Sequence, residues 1–304
     1  MASWKSRLGL LAKIKKASLK GIESPCAPLC MLMNYAVWIL TRNRIDLRVK
    51  ANSEMNIKKY KKESFYNIEG IKLPLLNPKD ETLLFGVIFF ETFVPYIFFQ
   101  NRFFKSIHET YAHGVYYGLE MEDFSVVVEQ GDVVFDIGSW IGDFAAYASK
   151  CGAEVYAFEP TSEIYEILCE TAKLNPGITP VNLGLGDARE ELPIFKDDGS
   201  NSGANSFRST CDNNLSDSVS KIDTIDNFVA ENNIKRVDFI KSDIEGFERK
   251  MLKGAKKALR DFAPKLAICT YHFPDDPEVL EKIILDANPD YRIVHMPDIL
   301  FARV

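Results

Sequence analysis

Residues 131–160, GDVVFDIGSWIGDFAAYASKCGAEVYAFEP, constrain the fold more than any other stretch of this 304-residue chain. A short apolar run, Val133-Val134-Phe135, ends in Asp136. A turn carrying Gly138 and Gly142 follows, then a helical pattern from Phe144 to Lys150. A second apolar run, Val155 to Phe158, ends in Glu159-Pro160. Strand, glycine-bearing turn, helix and strand with an acidic tip make a nucleotide-binding βαβ unit. The glycines let the backbone approach a ligand closely, and the helix N-terminus offers unpaired N–H groups. Glu159, at the tip of the second strand, can accept hydrogen bonds from both hydroxyls of a ribose.

Spacing then discriminates between ligands. A dinucleotide fingerprint would place glycines at 138, 140 and 143, whereas this chain has Gly138, Trp140 and Asp143. The pattern is D-x-G-x-x-x-G, with an acid leading the turn. An acid there repels pyrophosphate and suits a cationic ligand. S-adenosylmethionine carries a sulfonium and an ammonium and no phosphate, so the sign fits. The cofactor-binding candidates are Asp136, Gly138, Trp140, Gly142 and Glu159. An ordinary βα turn without a ligand is the bland alternative, and Glu159 in register argues against it.

Net charge hides an asymmetry. Residues 1–62 hold 14 Lys and Arg against Glu23, Asp46 and Glu54, a net +11; the whole chain is −6, so the remainder carries −17. A basic N-terminus suits an anionic partner such as membrane headgroups. Within Met1–Lys20, Trp4, Leu8, Leu11 and Ile14 recur at helical spacing, as in an interfacial helix, although Arg7 and Lys15 interrupt the apolar face. A solvated basic end reads the same residues equally simply. Leu29–Leu40 is too short to span a bilayer, and Leu83–Phe99 contains Glu91 and Pro95. Six scattered cysteines with no CxxC pair read as reduced thiols, and no secretory signal is apparent. The expected location is cytoplasmic, with peripheral membrane contact through the N-terminus as the alternative.

A boundary near residues 105–108 divides an N-terminal accessory region, 1–108, from a catalytic portion, 109–304. The latter opens on the tyrosine-rich ETYAHGVYYG of Glu109–Gly118. It then alternates strand candidates at 132–137, 153–159, 179–185, 236–243, 265–271, 291–296 and 300–304 with helical patterns at 143–151, 161–175, 224–233, 249–262 and 277–287. Such alternation implies parallel pairing with right-handed crossovers. Only Pro297-Asp298-Ile299 links the last two strands, which permits only an antiparallel hairpin. The expected fold is α/β and Rossmann-like: a seven-stranded, mostly parallel sheet ending in that hairpin, the plan of class I methyltransferases. Lys196–Ser220, almost wholly polar, reads as a long loop, either a mobile flap near the substrate or a solvated insertion.

Ligands of doubly wound sheets bind outside the carboxyl ends of the strands. The fourth strand, VDFIKSDIEGFE, delivers Lys241, Ser242, Asp243, Glu245 and Glu248 there; the fifth delivers Tyr271, His272, Asp275 and Asp276. Asp243 lies where a cofactor methyl and an acceptor would meet. His272 is the natural general base, since a free imidazole titrates near ~6.5. Glu245 flanks them. A hard divalent ion held by Asp243, Glu245 and Asp275 or Asp276 is a further reading, which no sequence-local metal motif supports. Glu248 reads as a helix cap. Asp187, in LGLGD after the third strand, is placed to reach an adenine amino group or is an ordinary turn aspartate.

Together these blocks resemble the FkbM-type family of class I S-adenosylmethionine-dependent methyltransferases. The matching stretches are GDVVFDIGSWIGDFAAYA with VYAFEP, VNLGLGD, IDTIDNF and VDFIKSDIEGFERKMLKGAKKAL, from about Glu109 to the C-terminus. The resemblance implies S-adenosylmethionine as cofactor and O-methylation of a hydroxyl on a sugar, glycolipid or secondary metabolite. It implies cofactor contacts from Asp136, Gly138, Gly142 and Glu159, and an active site flanked by Asp243 and Glu245. Two departures stand out: Trp140 in a turn position usually small or polar, and TYHFPDD where the family commonly has an acidic E-x-H. The alternative class is a non-catalytic binding or scaffold protein on a degenerate methyltransferase fold, against which the intact Asp136, Glu159 and Asp243 speak. Nucleic acid is disfavoured as acceptor by the acidic catalytic portion and by the lack of an NPPY-type stacking motif after the fourth strand. No feature sets an oligomeric state, though the aromatic run at 83–104 is a candidate dimer surface.

Overall fold

In the computed structural model, residues 60–68, 70–81, 84, 117–197, 202–208, 213–296 and 298–304 are described. The boundary at 108, the basic segment, both apolar runs apart from Leu84, and the tyrosine-rich stretch up to residue 116 lie outside them.

Seven strands form the central sheet: β5 (Val133–Ile137), β6 (Glu154–Phe158), β7 (Ile178–Val181), β11 (Phe239–Ser242), β12 (Lys265–Cys269), β13 (Arg292–His295) and β14 (Ile299–Arg303). Their spatial order is β7-β6-β5-β11-β12-β14-β13. The pairings β7-β6-β5-β11-β12 are parallel, whereas β14 runs antiparallel to both β12 and β13. The mostly parallel sheet with a terminal antiparallel hairpin is thus the observed architecture, the last strand inserting between the fifth and sixth.

Both sheet faces are covered, which is why the strands read as continuous apolar runs. On one face α1 (Asp143–Lys150) and α2 (Ser162–Leu174) share a core with Val134, Val155, Phe239 and Phe301. The N-terminal hairpin of β1 (Phe65–Ile68) and β2 (Ile71–Pro74) joins this core through Tyr66, Ile68, Ile71 and Leu73. The Asn175 side chain pins β2 by accepting from Lys72 N and donating to Lys72 O. The opposite face packs Phe135, Phe158, Ile240 and Ile268 beneath α3 (Ile225–Glu231), α4 (Glu248–Lys253), α5 (Lys256–Asp261) and α6 (Asp276–Ala287). A small hairpin, β3 (Leu119–Met121) with β4 (Phe124–Val126), adds Phe124 and Val126 to the first core.

Three expectations change. The helical pattern at 249–262 is two helices broken at Gly254, where a Cβ would lie 2.0 Å from the carbonyl oxygen of Gly186. That close approach requires glycine and ends α4. The strand expected at 179–185 divides: β7 stays in the sheet, while β8 (Gly184–Leu185) leaves it to pair with β10. Both ends of the loop expected over Lys196–Ser220 are instead strand, where β9 (Glu190–Asp197) pairs antiparallel with β10 (Asn213–Asp223), irregular between Leu215 and Val219. Backbone hydrogen bonds hold such a pair irrespective of polar side chains. Among its described side chains only Ile194, Ser220, Ile222 and Asp223 are buried, which leaves too weak an alternation to read.

Among the described residues no helix is long and apolar enough to cross a membrane. Cys151, Cys169 and Cys269 are free thiols.

Candidate active site

Alternation along adjacent strands sets the site's foundation. Asp136 on β5 and Lys241 on β11 stand opposite one another in register and point to the same face as Val134 and Phe239. Both are buried. Lys241 Nζ lies 3.0 Å from Asp136 Oδ1 and donates a 2.7 Å hydrogen bond to Gly138 O. It also sits 4.9 Å from the centre of the Tyr117 ring. Burial alone would lower the Lys241 ammonium, but the charges of Asp136, Asp243 and Asp143 outweigh it and hold it above its usual range. Asp136, expected at the cofactor, therefore serves an ion pair beneath the turn and does not line the cleft.

Above that pair opens a cleft. Its floor is Ile137, Gly138, Phe158 and Glu159, with Asp243 at the far end. Gly138 has φ +73°, and a Cβ there would lie 2.0 Å from the carbonyl oxygen of Asp243, so the turn after β5 can approach the residue that follows β11 only as glycine. Gly142 has another role. It begins α1 at φ +83°, and a Cβ would strike Leu168 Cδ1 of α2 at 2.6 Å, so this glycine serves helix packing and lies outside the cleft's lining. Glu159 is buried and accepts from Trp140 N at 3.2 Å and Thr161 N at 2.8 Å. Burial pushes its pKa up to about 7 against the pull of those amides and Lys241. The Thr161 side chain donates as well, so of about four acceptor positions on the carboxylate about one remains for a hydroxyl donor from the cleft.

The roof comes from residues between β9 and β10, within the polar segment that reads as either a flap near the substrate or a solvated insertion. Ser202, Gly203, Asn205, Ser206 and Phe207 line the cleft. Trp140, held in left-handed backbone (φ +49°), donates its indole N–H to Ser202 Oγ at 2.9 Å. Ser202 in turn donates to Asp80 Oδ1 at 2.6 Å, so the N-terminal segment latches the roof. Asp187, expected at an adenine edge, faces Lys250 at 3.7 Å and lies outside the lining. The departure of β8 from the main sheet carries it away and leaves Leu183, Gly184 and Leu185 as the wall.

The tips of β11 and β12 form the second half. Asp243 accepts from Tyr271 Oη at 2.8 Å and from Tyr117 Oη at 3.1 Å. His272 Nε2 lies 3.7 Å from Asp243 Oδ1 and 3.4 Å from Glu245 Oε2, while Nδ1 lies 3.3 Å from Glu248 Oε1. Glu245 adopts a left-handed backbone (φ +55°), which turns its side chain back toward the ring. Glu248, the first residue of α4, accepts from Ile244 N at 2.8 Å in the preceding turn; among the described residues no side chain caps α4, so Glu248 braces the turn and the histidine and is not the helix cap that the sequence suggests. Burial favours the neutral imidazole, yet Glu245, Glu248 and Asp243 outweigh it and push His272 up to about 10. Asp275 and Asp276 grip Arg249 at 2.6 and 2.7 Å and take no part in this cluster.

Comparison with known proteins gives concordant results. The family model for the methyltransferase FkbM domain matches residues 135–293. A hexuronic acid methyltransferase, AglP of Haloferax volcanii, is 28% identical over 163 residues, covering 53% of this chain and 64% of the relative. This chain thus spans somewhat less than two thirds of that relative. Among solved structures, methyltransferase FkbM from Methylobacillus flagellatus is 22% identical with a TM-score of 0.47, covering 76% of this chain and 56% of that one. Fibrillarin of Aeropyrum pernix, in complex with natively bound S-adenosyl-L-methionine, is 15% identical with a TM-score of 0.37 over 58% of this chain and 68% of that one.

Proposed function

This chain belongs to the FkbM methyltransferase family, and on that premise we propose that it is an S-adenosylmethionine-dependent O-methyltransferase acting on a hydroxyl of a sugar or sugar-containing metabolite. One observation carries the reading. A glycine-floored cleft with a buried carboxylate at one end runs directly into Asp243 at the other, where two tyrosine hydroxyls fix that carboxylate. The residues fit the cofactor: Glu159 lines the cleft with an acceptor position for the ribose, and Trp140 and Phe158 supply apolar surface. The similarity to a hexuronic acid methyltransferase supports a uronic or related sugar as acceptor.

S-adenosylmethionine, when bound, supplies an electrophilic methyl group on a good leaving group. The work left to the protein is placement and proton removal. Asp243 lies where the acceptor hydroxyl would approach, and its carboxylate takes the hydroxyl proton as the new O–CH₃ bond forms. Tyr117 and Tyr271 keep that carboxylate in one orientation.

Calorimetry with S-adenosylhomocysteine, on the wild type and on Glu159→Ala, tests the cofactor. Binding by the wild type with a loss of tenfold or more in the folded variant is expected. A folded wild type that binds neither S-adenosylmethionine nor S-adenosylhomocysteine would sink the reading and move the scaffold alternative forward. Incubation with methyl-labelled cofactor and a panel of uronic and neutral sugars then tests the acceptor, with label expected in an alkali-stable ether.

A further inference from the structure

We infer that Asp243, Glu245 and His272 form a binding site for one divalent first-row metal ion, with Glu248 holding the histidine in its ligating orientation. One oxygen or nitrogen of each of the three residues lies within 4.8 Å of those of the other two. Nε2 lies 3.4 Å from Glu245 Oε2 and 3.7 Å from Asp243 Oδ1. Ligands about 2.1 Å from a cation, separated by 90–120°, stand about 3.0–3.7 Å apart, so these spacings need little adjustment. The histidine supplies the second, independent observation. Its side chain is 5% exposed, and neither ring nitrogen makes a hydrogen bond among the described residues. A buried imidazole is costly to leave so. Nε2 points into the gap between the two carboxylates, and Nδ1 faces Glu248, itself 1% exposed. A carboxylate behind Nδ1 is the arrangement that orients a metal-bound histidine and leaves Nε2 to ligate.

Charge agrees with geometry. Asp243, Glu245 and Glu248 surround one imidazole. Nearby cations are engaged elsewhere, Lys241 with Asp136 and Arg249 with Asp275 and Asp276. Among the described residues no lysine or arginine pairs with Asp243 or Glu245. One nitrogen and two carboxylates favour an ion between Mn²⁺ and Zn²⁺ over Ca²⁺ or Mg²⁺, which prefer oxygen alone. Of the three residues Asp243 lines the cleft, so the ion would sit at its margin. There the ion would bind the acceptor's hydroxyl and a neighbouring oxygen, as vicinal sugar hydroxyls or a uronate carboxylate provide. This role rests on the proposed methyl transfer; the site itself does not.

The test uses full-length protein stripped with chelator, titrated with Mn²⁺ alone and followed by the electron paramagnetic resonance of the free ion. S-adenosylhomocysteine binding is measured on the same samples. One Mn²⁺ per chain is expected, displaced by Zn²⁺. The affinity should be at least tenfold weaker in Glu245→Gln and in Asp243→Asn. Both carboxylates are partly exposed, at 28% and 21%, so these variants keep the fold. Protein that binds S-adenosylhomocysteine but neither metal, or Mn²⁺ affinity unchanged in both variants, would overturn the site. Metal bound and weakened by the variants, without any binding of the nucleoside, would uphold the site and overturn the methyltransferase reading instead.

Discussion

The two ends of the cleft are built on different principles. At the Gly138–Glu159 end the backbone makes the site: a left-handed glycine approaching the residue that follows β11, and two amides fixing one carboxylate. At the Asp243–His272 end side chains make it, from four acidic and imidazole groups that two tyrosines and a left-handed Glu245 bring together. The first kind of site tolerates almost no change of shape and is indifferent to most changes of charge. The second is the reverse. The Lys241–Asp136 pair joins them, since one ammonium holds the cofactor turn through Gly138 O and lies against Tyr117, which holds Asp243.

Replacing charge without shape at the acceptor end should have the largest effect. Asp243→Asn is expected to lower kcat roughly 10²–10⁴-fold, the range for losing a general base, with nucleoside binding nearly unchanged. Steady-state rates beside calorimetry check it; a parallel loss of both would erase the distinction between the ends. Next is the pair that joins them. Lys241→Met leaves Asp136 buried without a counter-charge and should cost about 3–5 kcal/mol, read as a fall in denaturant midpoint. Changing shape without charge should discriminate between the two glycines. Gly138→Ala places a methyl against rigid backbone at φ +73° and should cost roughly 2–4 kcal/mol along with nucleoside binding. Gly142→Ala meets the movable end of Leu168 and should cost only about 1–2 kcal/mol, with binding retained in the protein that stays folded. Equal losses of binding would mean that Gly142 also touches the ligand.

The smallest effect is on pH. With its pKa raised to about 7, Glu159 is largely protonated at pH 5.5 and ionised at pH 8. Ribose hydroxyls donate to the ionised form, so nucleoside affinity should rise through pH 7 and fall up to about tenfold per unit below it. Stability carries the opposite sign. Because the folded pKa lies above the unfolded one, the contribution is full below about 4.5 and is lost as pH rises through about 7. Calorimetry at a series of pH values, with melting on the same samples, reads both; flat affinity from 5.5 to 8 would remove Glu159 from the ribose.

How much of this was legible follows the same division. The βαβ unit, the Gly138 turn, the position of Glu159 and the tips bearing Asp243 and His272 were readable from spacing alone. Their signals span a few residues, and local backbone geometry or strand periodicity causes them. Four features were not. Asp136 looked like a ligand contact until Lys241 faced it across the sheet. Asp187 looked near the cleft until β8 left the sheet. The polar segment at 196–220 gained strand pairing at both of its ends, and His272 gained Glu248 behind its ring. Each depends on groups distant in sequence, as with Tyr117 and Asp243, and a titration or a strand pairing is set by whatever neighbours the fold delivers. The sequence by itself therefore determined the sheet, its ligand-binding edge and the cofactor end, because turns and strands are local. Tertiary structure alone decided the charge states and partners of the acceptor end, because burial and Coulomb interactions act between residues that only folding brings within a few ångströms.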